Sequence, residues 1–231
     1  MNAFAFSGLL IGLTCTVISA LVYFTNRTSR VNRFWALSGL TIAFWGFGGL
    51  LAGSANEASS SLFWWRILVI NIIYIPVVYA HFVEAFTGIH RSYRLMLIHV
   101  IAALLQVANL MSLVVEDVRW TFEALYWAVP GPFYFAFFLF FMGLTVLNHW
   151  DLWTFMRSTS HRVRRLQVQW FFLATSIGFG GGLMYFFPPS YVNIFPYGNF
   201  CVVLYPVIMT YAILRYRLMY VNVVVTRGVI F

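Results

Sequence analysis

The chain has 231 residues, 62% of them hydrophobic and 9% charged, a balance that excludes a water-soluble domain of this size. Its net charge of +8 raises the question of a nucleic-acid partner, but the arginines are divided among several short links and have no folded basic domain to sit on; anionic lipid and topology account for them better.

A hydrocarbon core about 30 Å thick takes roughly 20 apolar residues per helix. Seven such runs can be placed, at 4–24, 34–53, 62–86, 94–115, 131–150, 166–187 and 196–214. Lipid offers no partner to a backbone N–H or C=O, so runs of this length are expected as helices. The expected fold is therefore all-α, a polytopic seven-transmembrane-helix bundle. The first run has no Lys or Arg before it and no clean small-residue cleavage site after it, so it is read as a helix and not as a removable signal. Cys15 in the first run and Cys201 in the last are isolated packing residues that imply neither a disulfide nor a metal site.

Farther along, the second run holds FWGFGGLLAG and the sixth GFGGGL, where Gly49–Gly53 and Gly178–Gly182 have the small-xxx-small spacing of closely packed helices. Neither has the strand–turn–helix setting of a dinucleotide loop. Pro76 and Pro206 interrupt the third and seventh runs and are expected hinges. In the link VEDVRWTFEALYWAVPG, Val118, Trp120 and Phe122 alternate with Arg119, Thr121 and Glu123, the pattern of a short hairpin or interfacial lid. No repeat or linker divides the chain, so residues 1–218 are expected as one helical domain and 219–231 as the start of a cytoplasmic linker.

All fourteen basic residues are arginine, and twelve of them follow the first, third, fifth or seventh run. Only Arg66 and Arg119 fall on the other side, together with Glu57, Glu116, Asp117 and Glu123. Cationic loops stay in the cytoplasm, which puts the N-terminus outside and the C-terminus inside. Trp35, Trp150, Trp153 and Trp170 then fall at inner headgroup level and Trp64, Trp65, Trp120 and Trp127 at outer headgroup level, with Trp45 in mid-span.

Ionisable residues within apolar runs are functional candidates by default. His81 and Glu84 are three apart and share a helix face near the inner end, since the third run has risen roughly 30 Å by His81. The favoured reading is structural: Glu84 meets Arg91, Arg94 or an arginine of the 157–165 link at the helix exit, with a proton-linked or gating role as the alternative. Near the outer end, Arg66 either snorkels toward the headgroups with Glu57 or Glu123 as partner, or lines an outward-facing pocket for an anionic or amphipathic ligand together with Asn71, Tyr74, Glu123 and Trp127. No spacing assembles a metal site, a nucleophilic triad or a phosphate loop, so neither cofactor nor catalytic machinery is expected in this chain. A retinal protein is closed off as well, because its Schiff base needs a lysine and the chain has none.

Two stretches, WRILVINIIYIPVVYAHFVEAFTG and YPVIMTYAILRYRLMYVNVVVTRGVIF, resemble the N-terminal seven-helix sensor region of bacterial histidine kinases and related signalling proteins. The resemblance rests on Arg66, Pro76, His81, Phe82 and Phe86–Gly88 in the third run and on AILRYRL at 212–218, while Tyr220 departs from the Asp common in the family. It implies a bundle in the bacterial inner membrane that detects something at or within the bilayer. The bundle would pass the change through Arg215 and Arg217 to a cytoplasmic output domain, usually as a homodimer. No phosphorylation helix or nucleotide-binding domain follows in these 231 residues, so any kinase activity is expected outside them. The competing expectation is a structural subunit packed against a larger integral membrane complex, and a carrier or channel comes third.

Overall fold

The computed structural model describes residues 1–189 and 194–216, and of residues 210 and 213–216 only the backbone. Among these are seven α-helices: α1 (Ala3–Thr25), α2 (Arg30–Ser54), α3 (Ala58–Thr87), α4 (Ser92–Leu110), α5 (Tyr134–Ser158), α6 (Arg162–Gly182) and α7 (Asn199–Tyr216). Five of them, α1 to α5, are long and apolar enough to cross a membrane. Most start earlier or end later than the apolar runs, because backbone hydrogen bonding carries a helix past its apolar stretch, and at α1 and α2 a side-chain cap fixes the start. Asn2 caps α1 by accepting from the Ala5 N–H at 2.8 Å, and Ser29 caps α2 through the Asn32 N–H. Gly88 ends α3 in the left-handed region at φ 74°, a conformation that costs a glycine little.

The all-α expectation needs one correction, in the link between α4 and α5. Helix α4 stops at Leu110 and not near 115, because Ser112 turns left-handed at φ 65° while the Met111 and Leu113 N–H groups close onto the carbonyls of Val107 and Ala108. Strands β1 (Val115–Thr121) and β2 (Leu125–Pro130) follow as an antiparallel pair, with Val118 opposite Ala128 and Thr121 opposite Leu125. A hairpin is what the alternation predicts, but the buried face belongs to β2: Leu125, Trp127 and Ala128 are buried while Trp120 is exposed. Helix α6 likewise ends before the apolar run does, and a 3-10 turn, Leu183–Phe186, continues the chain.

Helices α1 and α2 cross with backbones in contact. A Cβ on Gly46 would lie 2.6 Å from the Gly12 nitrogen and 2.7 Å from the Gly8 oxygen, so no larger residue fits there. Each GxxxG pair read from sequence has one tight member: a Cβ on Gly53 would lie 2.8 Å from the Phe4 ring and one on Gly178 3.1 Å from Tyr205 Cβ, while Gly49 and Gly182 face only ordinary contacts at 3.5 Å and beyond. One hydrophobic core runs through the bundle, and Trp35, Trp65 and Trp127 lie fully inside it. Their rings therefore face the core and not lipid, whereas Trp120, Trp150 and Trp153 are on the surface.

The bundle has two unlike ends. At one, the hairpin closes over α1, α2 and α3: Asn2 donates to the carbonyls of Gly53 and Ala124, and Trp65 donates from Nε1 to the Tyr126 carbonyl at 2.8 Å. The other end carries the arginines of the α3–α4 and α5–α6 links.

Candidate functional site

The residues expected to form an outward pocket do not line the central cavity. Arg66 reaches β1, where Nε and Nη2 donate to the carbonyls of Val115 and Glu116 at 3.3 and 3.1 Å, and neither Glu57 nor Glu123 is its partner. Helix α4 holds the same stretch of α3 from the side, with Asn109 donating to the Arg66 carbonyl and Gln106 to the Ile70 carbonyl. Asn71 donates to the Ile67 carbonyl of its own helix, and Tyr74 packs partly buried against the core. Glu123 sits exposed in the hairpin turn. Trp127 is buried among the rings of Phe4, Trp65, Phe122 and Tyr185.

At the arginine end, His81 and Glu84 take different partners. His81 Nε2 meets His99 Nε2 on α4 at 2.8 Å and its ring stacks on Phe34. Glu84 is buried and accepts from the backbone N–H of Arg91 at 2.6 Å. The guanidinium groups go elsewhere: Arg94 bonds Asp151 of α5 in a buried ion pair, and Arg91 adds a second contact at 3.1 Å. Sequence reasoning named the two arginines and passed over Asp151. The available signal was that Asp151 and Glu84 are the only acids on the arginine-rich side. Arg164 closes the same end, donating to the Phe86 carbonyl with its guanidinium 4.9 Å from the Phe86 ring centroid.

Between the two ends lies a cavity of about 40 Å³, lined by side chains from α2, α3, α5, α6, the 3-10 turn and α7. That volume holds a few waters at most. Its walls are aromatic with a few hydroxyls: Ser38, Tyr79, Thr175, Tyr185 and Tyr205. Tyr79 donates to Thr175 Oγ1 at 3.1 Å, and Thr175 in turn lies 3.2 Å from His149 Nε2. His149 Nδ1 is 2.9 Å from the Thr145 carbonyl, which can only accept, so Nδ1 carries the proton and Nε2 of the neutral ring accepts. The single Thr175 proton thus has three acceptors within reach, His149 Nε2 and the carbonyls of Phe171 at 2.9 Å and Phe172 at 3.3 Å. Neither His149 nor Thr175 was singled out from sequence, because a lone His in an apolar run has no spacing to mark it.

Rings connect this chain of hydroxyls to the rest of the bundle. Phe82 and Phe171 stack with centroids 4.5 Å apart, and Trp35 touches Phe82, Phe171 and Tyr205, each at 5.3 Å. The cluster therefore joins α2, α3, α6 and α7. Pro76 lies within α3, where its carbonyl accepts from Asn148 Nδ2 of α5 at 3.0 Å; Pro206 lies within α7 one residue after Tyr205. Arg215 is in the last turn of α7 with its side chain outside the described residues, and Arg217, Tyr220 and the 219–231 segment also lie outside them.

Among the described residues no group of three or more His, Cys, Asp or Glu could hold a metal ion. Comparison with known proteins finds no match among curated proteins and none among solved structures. A family model described as the N-terminal 7TM region of histidine kinase matches residues 8–222, nearly the whole chain and both stretches that carried the resemblance. The chain is accordingly a multi-pass membrane protein and belongs to the family of N-terminal seven-transmembrane regions of histidine kinases.

Proposed function

We propose that this chain is the sensory module of a signalling protein of the bacterial inner membrane, with its N-terminus outside, its C-terminus in the cytoplasm, and a histidine kinase or similar output domain, usually dimeric, as its partner. The observation that carries the reading is the family match across 8–222. The orientation is supported by twelve arginines on one side against two on the other. A sensor needs an element with two arrangements that a stimulus binds unequally. The Tyr79–Thr175–His149 chain suits that role, since the Thr175 proton can go to His149 or to a carbonyl of its own helix and Tyr79 is stacked against the Phe82–Phe171–Trp35–Tyr205 cluster that ends on α7. Helix α7 is the last described element before residues 217–231, so a shift of Tyr205 or Pro206 is transmitted in that direction.

The test is to join residues 1–231 ahead of a histidine-kinase core in continuous helical register, reconstitute the product in vesicles and measure autophosphorylation. Tyr79→Phe and Tyr205→Phe are expected to change basal phosphorylation severalfold at equal protein level. Phosphorylation indifferent to both, with the native chain co-purifying in fixed stoichiometry with other membrane subunits, would give the structural-subunit reading the ground instead.

A further inference from the structure

A second concavity lies on the outside of the bundle, a groove of about 500 Å³ between α5 and α6. It is separated from the central cavity by Phe141 and Phe179, which line both. A volume of that size is in the range of small-molecule sites, whereas the central cavity is far below it. The groove runs from Phe141 to Trp153 along α5, roughly 18 Å at 1.5 Å per residue, which is the reach of a long alkyl chain.

Three features distinguish it from an ordinary lipid-facing furrow. Thr145 lines the groove, is 6% exposed, and its hydroxyl finds no hydrogen-bond partner among the described residues. The oxygen is covered in this structure, and an orphaned hydroxyl in an apolar setting costs about 1–3 kcal/mol, so turning the side chain toward the groove lets a ligand oxygen supply a bond that the protein does not make for itself. Gly180 also lines the groove, and a Cβ added to it would meet nothing within 4 Å, so its small size serves the open space and not helix packing. His149 stands in the groove with its Nε2 already in contact with Thr175, so the groove and the Tyr79 chain share a residue.

The position of Thr145 decides the chemistry of the occupant. It lies inside the apolar run 131–150, five residues or roughly 8 Å short of Trp150. A charged group at that depth is costly without a counter-ion, and no Arg, Lys, Asp or Glu lines the groove. We infer that the α5–α6 groove binds an uncharged long-chain molecule dissolved in the bilayer, whose carbonyl or hydroxyl oxygen meets the Thr145 hydroxyl while its alkyl chain lies along Phe141, Phe179 and Leu183, away from Trp150. Access is sideways from lipid. The inference deepens the sensory reading by giving it an input site, and it is tested by binding alone.

The experiment uses the chain in phosphatidylcholine vesicles with two photoreactive diazirine probes of equal length, an analogue of hexadecanol and one of palmitate. The alcohol probe is expected to label residues 141–153 and 172–183 saturably, with unlabelled hexadecanol lowering the yield at least tenfold. Gly180→Phe should abolish that labelling, Gly180→Ala should leave it, and the isosteric Thr145→Val should weaken it severalfold. Labelling spread evenly over lipid-facing α1 and α4 and insensitive to competitor would mean bulk lipid only and overturn the site. Palmitate labelling as strong as the alcohol's would overturn the uncharged-head assignment. Should Gly180→Phe not fold, Thr145→Val decides, and undiminished labelling in it removes the site. No output domain enters the measurement, so failure here leaves the sensory reading standing, and the converse also holds.

Discussion

Arg94 on α4 and Asp151 on α5 form a buried ion pair, with Asp151 only 5% exposed and Arg91 reaching the same carboxylate from a side chain 49% exposed. The two arginines are not equivalent. Asp151→Asn leaves Arg94 partly buried without its counter-charge, and removal of one member of such a pair costs about 3–5 kcal/mol. Arg91→Ala removes a largely surface contact worth about 1 kcal/mol or less. Thermal unfolding in detergent should give a large fall in Tm for the first and little change for the second; equal effects would mean that the pair does not hold α4 against α5.

The α1–α2 crossing predicts opposite responses at two glycines. Gly46→Ala drives a methyl into the Gly8–Gly12 backbone and should destabilise by at least about 1–3 kcal/mol. Gly143, on α5, has nothing within 4 Å of an added Cβ, so Gly143→Ala should be neutral or stabilising by roughly 0.5–1 kcal/mol. Denaturant titration of the two variants side by side checks the contrast.

In the hairpin turn, Phe122 and Glu123 both have positive φ, at 58° and 52°. Phe122 is held there by ring contacts to Trp127 and Phe195 at 6.2 and 5.2 Å, whereas Glu123 is exposed. Glu123→Gly should therefore relieve about 1 kcal/mol of left-handed strain. Phe122→Gly relieves the same strain but loses the ring contacts, and should come out less stable than the parent. Hydrogen exchange at residues 115–130 reads both.

Thr175→Val keeps the shape of the side chain and removes the hydroxyl that stands between Tyr79 and His149. Hydrogen bonds between membrane helices contribute about 0.6 kcal/mol on average, so the loss of stability should be small. Output from the kinase fusion should nonetheless move severalfold. A large unfolding effect with unchanged output per folded molecule would make the hydroxyl chain structural only.

How much could be read in advance varied with the range of the interaction. Helix positions followed from unbroken apolar runs, and the hairpin from the alternation at 118–123. Helix ends were missed by up to eight residues, at the end of α5, because hydropathy marks only the apolar part of a helix while single residues such as Ser29 and the left-handed Ser112 set where others begin and stop. Trp35, Trp65 and Trp127 were read as headgroup anchors although each is buried, since a ring's preference for the interface and its capacity to fill a core look the same in one dimension.

By itself the sequence determined the solvent, the helical segments and the family, because hydropathy and the Arg66, Pro76 and Phe86–Gly88 pattern are local properties of the chain. Only the tertiary structure decided the partners: that Arg94 goes to Asp151 and not to Glu84, that Arg66 binds β1 carbonyls, and that Thr175 joins Tyr79 to His149. Those contacts bring together residues as far apart as 96 positions, from Tyr79 to Thr175. Which side chains meet at that separation depends on how the helices pack, and packing is a property of pairs of surfaces that no single run of residues contains.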